Sequence, residues 1–178
     1  MAGDERSLIE RARRRDRDAF SELVRGRCER WFWLCYRILG DAEEARDAVQ
    51  EALLHMWDGL ASYRPAHVDD AVRAFDAWCY RIAYHAAVDR VRERKRRAAL
   101  SPGDVTWEKT EGITPEALVE SKEEIEKMLS ALAPREREAF VLCAMEGFSS
   151  EEAARIMDAA PSTVRNLVRQ ARGRLKKQ

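Results

Sequence analysis

The amino-acid sequence predicts an all-α protein: two small helical domains joined by a flexible linker, the second with a helix-turn-helix. Three observations carry this expectation. Glycine and proline are sparse, eight and five in 178 residues, while Ala, Leu, Arg and Glu, all good helix formers, dominate. Alternating runs of Val, Ile and Thr, the usual strand pattern, are absent. Apolar residues recur at three-and-four spacing up to about residue 97, lapse over 98–113, and resume beyond. A chain of this length can close two small helical cores.

The elements follow in order. Ser7 can cap a first helix from Leu8 to about Arg14. Asp16 opens a second, whose Phe20, Leu23, Val24, Trp31, Leu34, Cys35 and Ile38 fall at helical spacing until Gly40 ends it. Asp41 with Glu44 gives a capping-box-like start to a third. There Ala45, Ala48, Val49, Ala52, Leu53, Met56, Trp57 and Leu60 line one face, and Glu43, Asp47, Gln50, Glu51, His55 and Asp58 lie elsewhere. Residues 61–70, with Ser62, Pro65, Asp69 and Asp70, read as a loop. A fourth helix from about Ala71 buries Phe75, Trp78, Cys79, Ile82, Ala86 and Val91 and runs to Arg97, closing a domain over residues 1–97.

Residues 98–113 form the linker: Ser101, Pro102, Gly103, Asp104 and Gly112 are loop signals, and no apolar face remains. Such a linker predicts that the domains move independently. Thr114, Pro115 and Glu116 restart a helix and the second domain, 114–178. Within it Leu132–Glu138 starts a helix ending near Gly147. Ser149 or Ser150 caps the next, Glu151–Met157, and Asp158–Ala160 form a short turn. The last helix starts near Pro161 with Val164, Leu167, Val168, Ala171 and Leu175 on its apolar side. Ala160 stands where a capping Ser or Thr would help, so Asp158 or Ser162 is expected to substitute.

Formal net charge is zero, but the charges are segregated. Residues 90–97 hold Arg90, Arg92, Arg94, Lys95, Arg96 and Arg97 against one acid, Glu93. From Pro161 onward Arg165, Arg169, Arg172, Arg174, Lys176 and Lys177 meet no acid. Residues 41–58, and most of 104–158, are acidic. Separate surfaces of opposite sign suit separate partners. Cys28, Cys35, Cys79 and Cys143 form no Cys-x-x-Cys pair and no metal-spaced cluster, so four buried thiols in a reducing cytosol are expected, with no metal and no cofactor. The charged start lacks the apolar core of a signal peptide, and no apolar run reaches about eighteen residues. A cytoplasmic location follows. Neither a phosphate-binding Gly-rich loop nor a nucleophile–base arrangement appears, and His55, His67 and His85 fall on different segments, so an enzyme is not expected.

Two helices joined by a short turn, the second rich in arginine, make the helix-turn-helix pattern of duplex-DNA readers. Ser162, Thr163, Arg165, Asn166, Arg169 and Gln170 come early enough on the last helix to reach base edges and phosphates in a major groove. Arg172, Arg174, Lys176 and Lys177 add attraction to the backbone. A plain helical bundle with a basic tail is the non-functional alternative.

At this point the chain resembles a known family. The Pro134–Glu138, Glu146–Ser149, Glu151–Ala154 and Ser162–Arg165 pieces resemble the DNA-binding fourth region of extracytoplasmic-function sigma factors. Asp16-x-x-Ala19-Phe20, Gly40-Asp41-x-Glu43-x-Ala45-x-Asp47-x-x-Gln50-Glu51, Trp57, Ala77–Ala83 and Asp89 resemble that family's second region. The resemblance implies an alternative sigma factor that binds core RNA polymerase and directs transcription initiation from promoters with −10 and −35 elements. It places Asp47, Gln50, Glu51 and His55 against the clamp helices of the polymerase largest subunit, with the flap as a further contact. It gives Tyr63, Arg64, Arg81, His85, Arg92 and Arg96 to the −10 region, with Trp78, Tyr80 and Tyr84 as further aromatics nearby. It gives Ser162, Thr163, Arg165, Asn166, Arg169, Gln170 and Arg172 to the −35 element. An anti-sigma factor is the expected regulator. The chain departs from the family pattern at His85, where asparagine is frequent, and in a longer 61–75 loop. A stand-alone helix-turn-helix regulator and a DNA-independent adaptor are the other readings, disfavoured by the first-domain match and by the arginine-rich last helix respectively.

Overall fold

A computed structural model describes residues 2–64, 70–100 and 119–177. Among them every regular element is a helix: α1 (Ala2–Arg13), α2 (Arg17–Arg25), α3 (Cys28–Leu39), α4 (Ala42–Gly59), α5 (Ala71–Leu100), α6 (Val119–Ser130), α7 (Pro134–Phe140), α8 (Ser150–Ile156) and α9 (Pro161–Leu175). The expected all-α class stands. The restart at Thr114 and nearly all of the linker lie outside the described residues. Ala98 to Leu100, assigned by sequence to the linker, continue α5.

Two local corrections concern the N-terminal half. Ser7 does not cap α1 but sits inside it, because the helix starts at Ala2. The segment from Asp16 to Gly40 is two helices rather than one. α2 ends at Arg25, where Gly26 begins a turn closed by the Arg27 N–H on the Val24 carbonyl at 2.9 Å. The Arg27 side chain locks this turn. Its Nη1 donates to the Leu23 carbonyl at 2.9 Å and its Nε to Asp76 of α5 at 2.6 Å. Burial works against the Arg27 charge, but the Asp76 carboxylate outweighs it and raises the guanidinium pKa.

Other boundaries follow their chemistry. Asp16 Oδ1 caps α2 through the Asp18 and Ala19 N–H groups, and Asp41 Oδ1 caps α4 through Glu44 N–H at 2.8 Å. Gly40, at φ 73°, takes the left-handed C-terminal position of α3 that a side chain would strain. Asp70 Oδ1 accepts from Arg73 N–H at the start of α5.

α5 packs along α3 and α4, and α1 packs on α2 and α5. Trp31, Leu34, Cys35, Ala45, Ala48, Ala52, Met56, Phe75, Cys79 and Ala83 are fully enclosed there. The alanine face of α4 lets α3 and α5 approach closely. Each large side chain such as Trp31 or Phe75 contributes roughly 1.5–3 kcal/mol by leaving water. Cys35 and Cys79 are buried and Cys28 and Cys143 half-buried, so the expectation of four buried thiols holds for two. Burial pushes the Cys35 thiol up to about 12.

The buried cluster does not stop at the first domain. It continues through Leu129, Leu132, Ala139, Val141, Leu142, Phe148, Ala153, Ile156, Val164 and Ala171. α5 meets α8, and α3 meets α7 and the turn that follows it. The two halves are therefore docked, where the sequence predicts halves that move freely. α7 runs into a π-helical turn, Val141–Met145, closed by Glu146 N–H on the Val141 carbonyl at 3.0 Å. Gly147 at φ 75° then ends the helix.

Candidate nucleic-acid interface

Three surfaces carry the residues singled out above. The first is the outer side of α4. Asp47, Gln50, Glu51 and His55 are all exposed on it, opposite the buried Ala45, Ala48, Val49, Ala52 and Met56. Arg90 of α5 reaches back to this strip, 3.7 Å from Asp47 and 3.4 Å from Glu51. One residue escaped the sequence reading. Leu54 is 66% exposed and is the large apolar side chain left in solvent among the described residues. It lies one turn from Gln50 and Asp58, off the apolar stripe. Its signal in the sequence was an apolar residue out of phase with its own helix.

The second surface lies along α5. Arg81 and His85 are one turn apart, as expected, and both face the same carboxylate: Arg81 Nη2 donates to Asp158 Oδ1 at 2.7 Å, and His85 Nε2 lies 3.0 Å from Asp158 Oδ2. About two turns before Arg81, Arg73 grips Glu152 with two bonds of 2.5 and 2.8 Å. Arg64 is exposed and folds its guanidinium back on the carbonyls of Ala61 and Tyr63. Arg92 pairs with Asp89 at 2.8 Å, and Arg96 and Arg97 share Glu93. Exposed pairs of this kind hold weakly, so these arginines can exchange a carboxylate for a phosphate.

Tyr63, expected at the −10 element, is instead part of the core. It is 6% exposed, with its ring centroid 4.9 Å from Trp78 and 5.7 Å from Phe75. Burial pushes its hydroxyl up to about 12. Tyr80 and Tyr84 are likewise buried, and their hydroxyls are spoken for: Tyr80 donates to Glu146 at 2.6 Å and Tyr84 to Glu138 at 2.7 Å. In this arrangement none of the three rings offers a face to a base. For Tyr80 and Tyr84 the physical reason is the docking of the second domain, which the linear sequence does not display; Tyr63 is covered by Phe75 and Trp78 of its own half.

The third surface is α9. Ser162, Thr163, Arg165, Asn166, Arg169, Gln170 and Arg172 are all exposed, while Val164 and Ala171 are buried and Leu167, Val168 and Leu175 half-buried. α8 and α7 pack beneath. Ser149 caps α8 with a full capping box: its Oγ accepts from Glu152 N–H, and Glu152 Oε2 accepts from Ser149 N–H at 2.8 Å. Ala160 leaves α9 without a side-chain cap, and neither Asp158 nor Ser162 supplies one. The uncapped N–H groups of this helix end point outward, where an anion gains from them. Arg165 rests on Glu151 at 3.0 Å.

Sequence reasoning did not anticipate the buried acids of this half. Glu136 accepts Ala133 N–H and pairs with Arg174 at 2.9 Å. Glu138 joins Tyr84 and Arg135, and Glu146 joins Tyr80 and Arg37. Burial, reinforced by these carboxylates, drives both tyrosine hydroxyls well above their ordinary range. Among the described residues no three metal-ligating side chains converge, and no helix is long and apolar enough to cross a membrane.

Comparisons with known proteins agree with this layout. Residues 29–97 match the Sigma-70 region 2 family, and residues 129–178 match the sigma-like domain of the response regulator PhyR. The chain is 29% identical to the ECF RNA polymerase sigma factor SigW of Bacillus subtilis, covering 96% of this chain and 94% of that one. It is 31% identical to the RNA polymerase sigma-H factor of Pseudomonas aeruginosa, covering 94% and 90%. It is 32% identical to the ECF sigma factor SigM of Mycobacterium tuberculosis, covering 90% and 76%. Two solved structures share the fold. One is the sigma factor RpoE with the anti-sigma factor NepR from Bartonella quintana, with a TM-score of 0.74, 24% identity and coverage of 89% and 94%. The other is CnrH with the cytosolic domain of CnrY, with a TM-score of 0.67, 23% identity and coverage of 97% and 95%. With both halves matched in order and over nearly the whole length, the chain belongs to the extracytoplasmic-function sigma factors, the alternative sigma subunits that direct RNA polymerase to promoters.

Proposed function

We propose the following division of labour. Residues 1–97 bind core polymerase and open and read the −10 element, residues 114–178 read the −35 element, and residues 98–113 join them. The strip of Asp47, Gln50, Glu51 and His55 docks on the clamp helices, with Leu54 as its apolar anchor. Arg64, Arg81, His85, Arg92 and Arg96 face −10 DNA. Ser162, Thr163, Arg165, Asn166, Arg169, Gln170 and Arg172 face −35 DNA. The protein works by binding, in the cytoplasm where the polymerase is, and performs no chemistry of its own. Because the solved relative from Bartonella quintana is held by an anti-sigma factor, a regulator of that kind is proposed here as well.

The observation that carries this reading is α9. A helix with seven exposed polar residues over its first three turns and two buried apolar anchors beneath them is shaped to lie in a groove. Run-off transcription with core polymerase, on a promoter the protein recognises, tests it. Arg165→Ala combined with Arg169→Ala should abolish selective initiation while the purified variant still binds core enzyme. Full activity of that variant would refute the assignment of α9.

A further inference from the structure

The arginine-rich end of α5 is split between two faces. Arg92, Lys95, Arg96 and Arg97 are exposed. Arg90 and Arg94, four residues apart and so on one side of the helix, turn onto α4 instead. Arg94 lies 3.4 Å from Glu44 and 3.5 Å from the carbonyl of Leu39, the last residue of α3. Arg90 lies against the acidic strip: its Nη1 is 3.7 Å from Asp47 Oδ2 and its Nη2 is 3.4 Å from Glu51 Oε2. One guanidinium fork thus spans both carboxylates and takes one oxygen of each. Asp47 Oδ1 and Glu51 Oε1 remain for a cation from outside; among the described residues no other cation pairs with either acid.

The cation is the fixed member of this group. The Arg90 side chain is 31% exposed, against 62% for Asp47 and 46% for Glu51. Its charge is felt by the fully enclosed Cys35 thiol of α3. Its Nε is buried and finds no hydrogen-bond partner among the described residues, a cost that an apolar side chain at this position would avoid. Asp47 and Glu51 are one turn apart on α4, so without a cation between them they repel each other and swing free. Arg90 acts on a cationic partner with two opposite signs. As a charge it repels that partner, but across solvent this is screened within about 8 Å. As a brace it orders both carboxylates beforehand, which is worth roughly 2- to 12-fold in affinity for each side chain. The bracing effect is the larger.

We propose that Arg90 is a positioning residue for polymerase binding: seated between α4 and α5, it braces Asp47 and Glu51 so that both offer a free oxygen to a cationic partner surface at once. The sequence run that looks like a single DNA-facing cluster therefore serves two partners, with Arg90 working inward on the docking strip. The inference rests on the reading of that strip as the polymerase-docking surface.

The test measures association and dissociation of the full chain with core polymerase, with thermal melting of each variant as the check on folding. Arg90→Gln removes both charge and fork; Arg90→Lys keeps the charge but offers one ammonium in place of two prongs. Arg90→Gln should bind core enzyme roughly 5- to 10-fold more weakly. The loss should lie in faster dissociation, with association unchanged or slightly faster because the strip is now more negative. Arg90→Lys should recover little of the affinity. In a chain that already carries Asp47→Asn and Glu51→Gln, Arg90→Gln should have no further effect, since nothing is left to brace. Tighter binding by Arg90→Gln would make Arg90 a mere counter-ion, and full affinity of Arg90→Lys would make its charge rather than its fork the cause; either overturns the proposal, as does unchanged binding of Arg90→Gln. A loss that persists undiminished in the Asp47→Asn, Glu51→Gln chain overturns it too, since the effect would then be structural. Failure of the site reading looks different: Asp47→Asn with Glu51→Gln would by itself leave core affinity intact, and the brace would fall with the strip.

Discussion

The unfilled cap of α9 gives the sharpest quantitative prediction. Ala160 already has cap geometry, with φ −76° and ψ 144°, and its carbonyl accepts Val164 N–H at 3.1 Å, closing the first turn. Pro161 has no N–H to satisfy, which leaves those of Ser162 and Thr163. A serine at position 160 would place a hydroxyl oxygen within reach of one of them. The gain expected for supplying such a cap is about 1 kcal/mol. The molecule provides its own reference in Ser149, which makes this bond to Glu152 N–H at 3.2 Å. Ala160→Ser and Ser149→Ala should therefore move stability in opposite directions by similar amounts. In a chain of this size that is roughly 2–4 °C in Tm each way. Urea unfolding followed by circular dichroism measures both, with an unchanged m-value as the sign that only stability has moved. If Ser149→Ala destabilises while Ala160→Ser gives nothing, the N–H groups of α9 are satisfied otherwise and the reasoning about its bare N-terminus is wrong.

Other predictions concern separate links in the chain from structure to function. Trp31 is fully enclosed, so Trp31→Ala should cost about 3–5 kcal/mol in urea titration; a loss below about 1 kcal/mol would show that the site collapses or was never packed. Leu54→Ser should leave stability unchanged and weaken binding to core polymerase about 10-fold, as loss of a central apolar anchor does; equal affinity in a titration would remove Leu54 from the docking surface. The Arg73 hydrogen bonds hold Glu152 down at about 2, against an ordinary value of 4.5. Its contribution is thus complete above pH 4.5 and is lost as the pH falls toward 2; scattering across that window should show the docked halves loosening, and Glu152→Gln should flatten the response. Arg165→Ala should erase the preference for a cognate over a scrambled −35 sequence, worth roughly 1–3 kcal/mol, whereas Lys176→Ala should weaken both DNAs alike; equal losses for Arg165→Ala would make it a phosphate contact.

The sequence by itself determined what depends on neighbours within a few turns. The faces of α4 and α9 are legible because burial of one side of a helix imposes a 3.6-residue period. Ala45, Ala48 and Ala52 on one helix and Val164 and Ala171 on the other lie where that period puts them. Asp16, Asp41 and Ser149 announce helix starts because a short side-chain oxygen meets an N–H two or three residues on. The break at Gly26 was less visible, since α2 and α3 are each amphipathic and their apolar positions run almost in phase across it. The stretch from Arg25 to Arg30, nearly without apolar residues, was the available signal.

Only the tertiary structure decided which exposed-looking residues are free. Tyr80, Tyr84, Arg81 and His85 share α5 with nothing local to distinguish an interface from a solvent face. Their state is set by Glu138, Glu146 and Asp158, which lie 54 to 77 residues away along the chain in the bonded pairs. The same holds for Glu136, Glu138 and Glu146, which a charge count places on the surface and which the fold draws inward against Arg174, Tyr84 and Arg37. Periodicity reports that a helix has an apolar side; it carries no information about what a polar side meets. Pairing between distant charges depends on how two domains dock, a property of three-dimensional complementarity that no local pattern encodes.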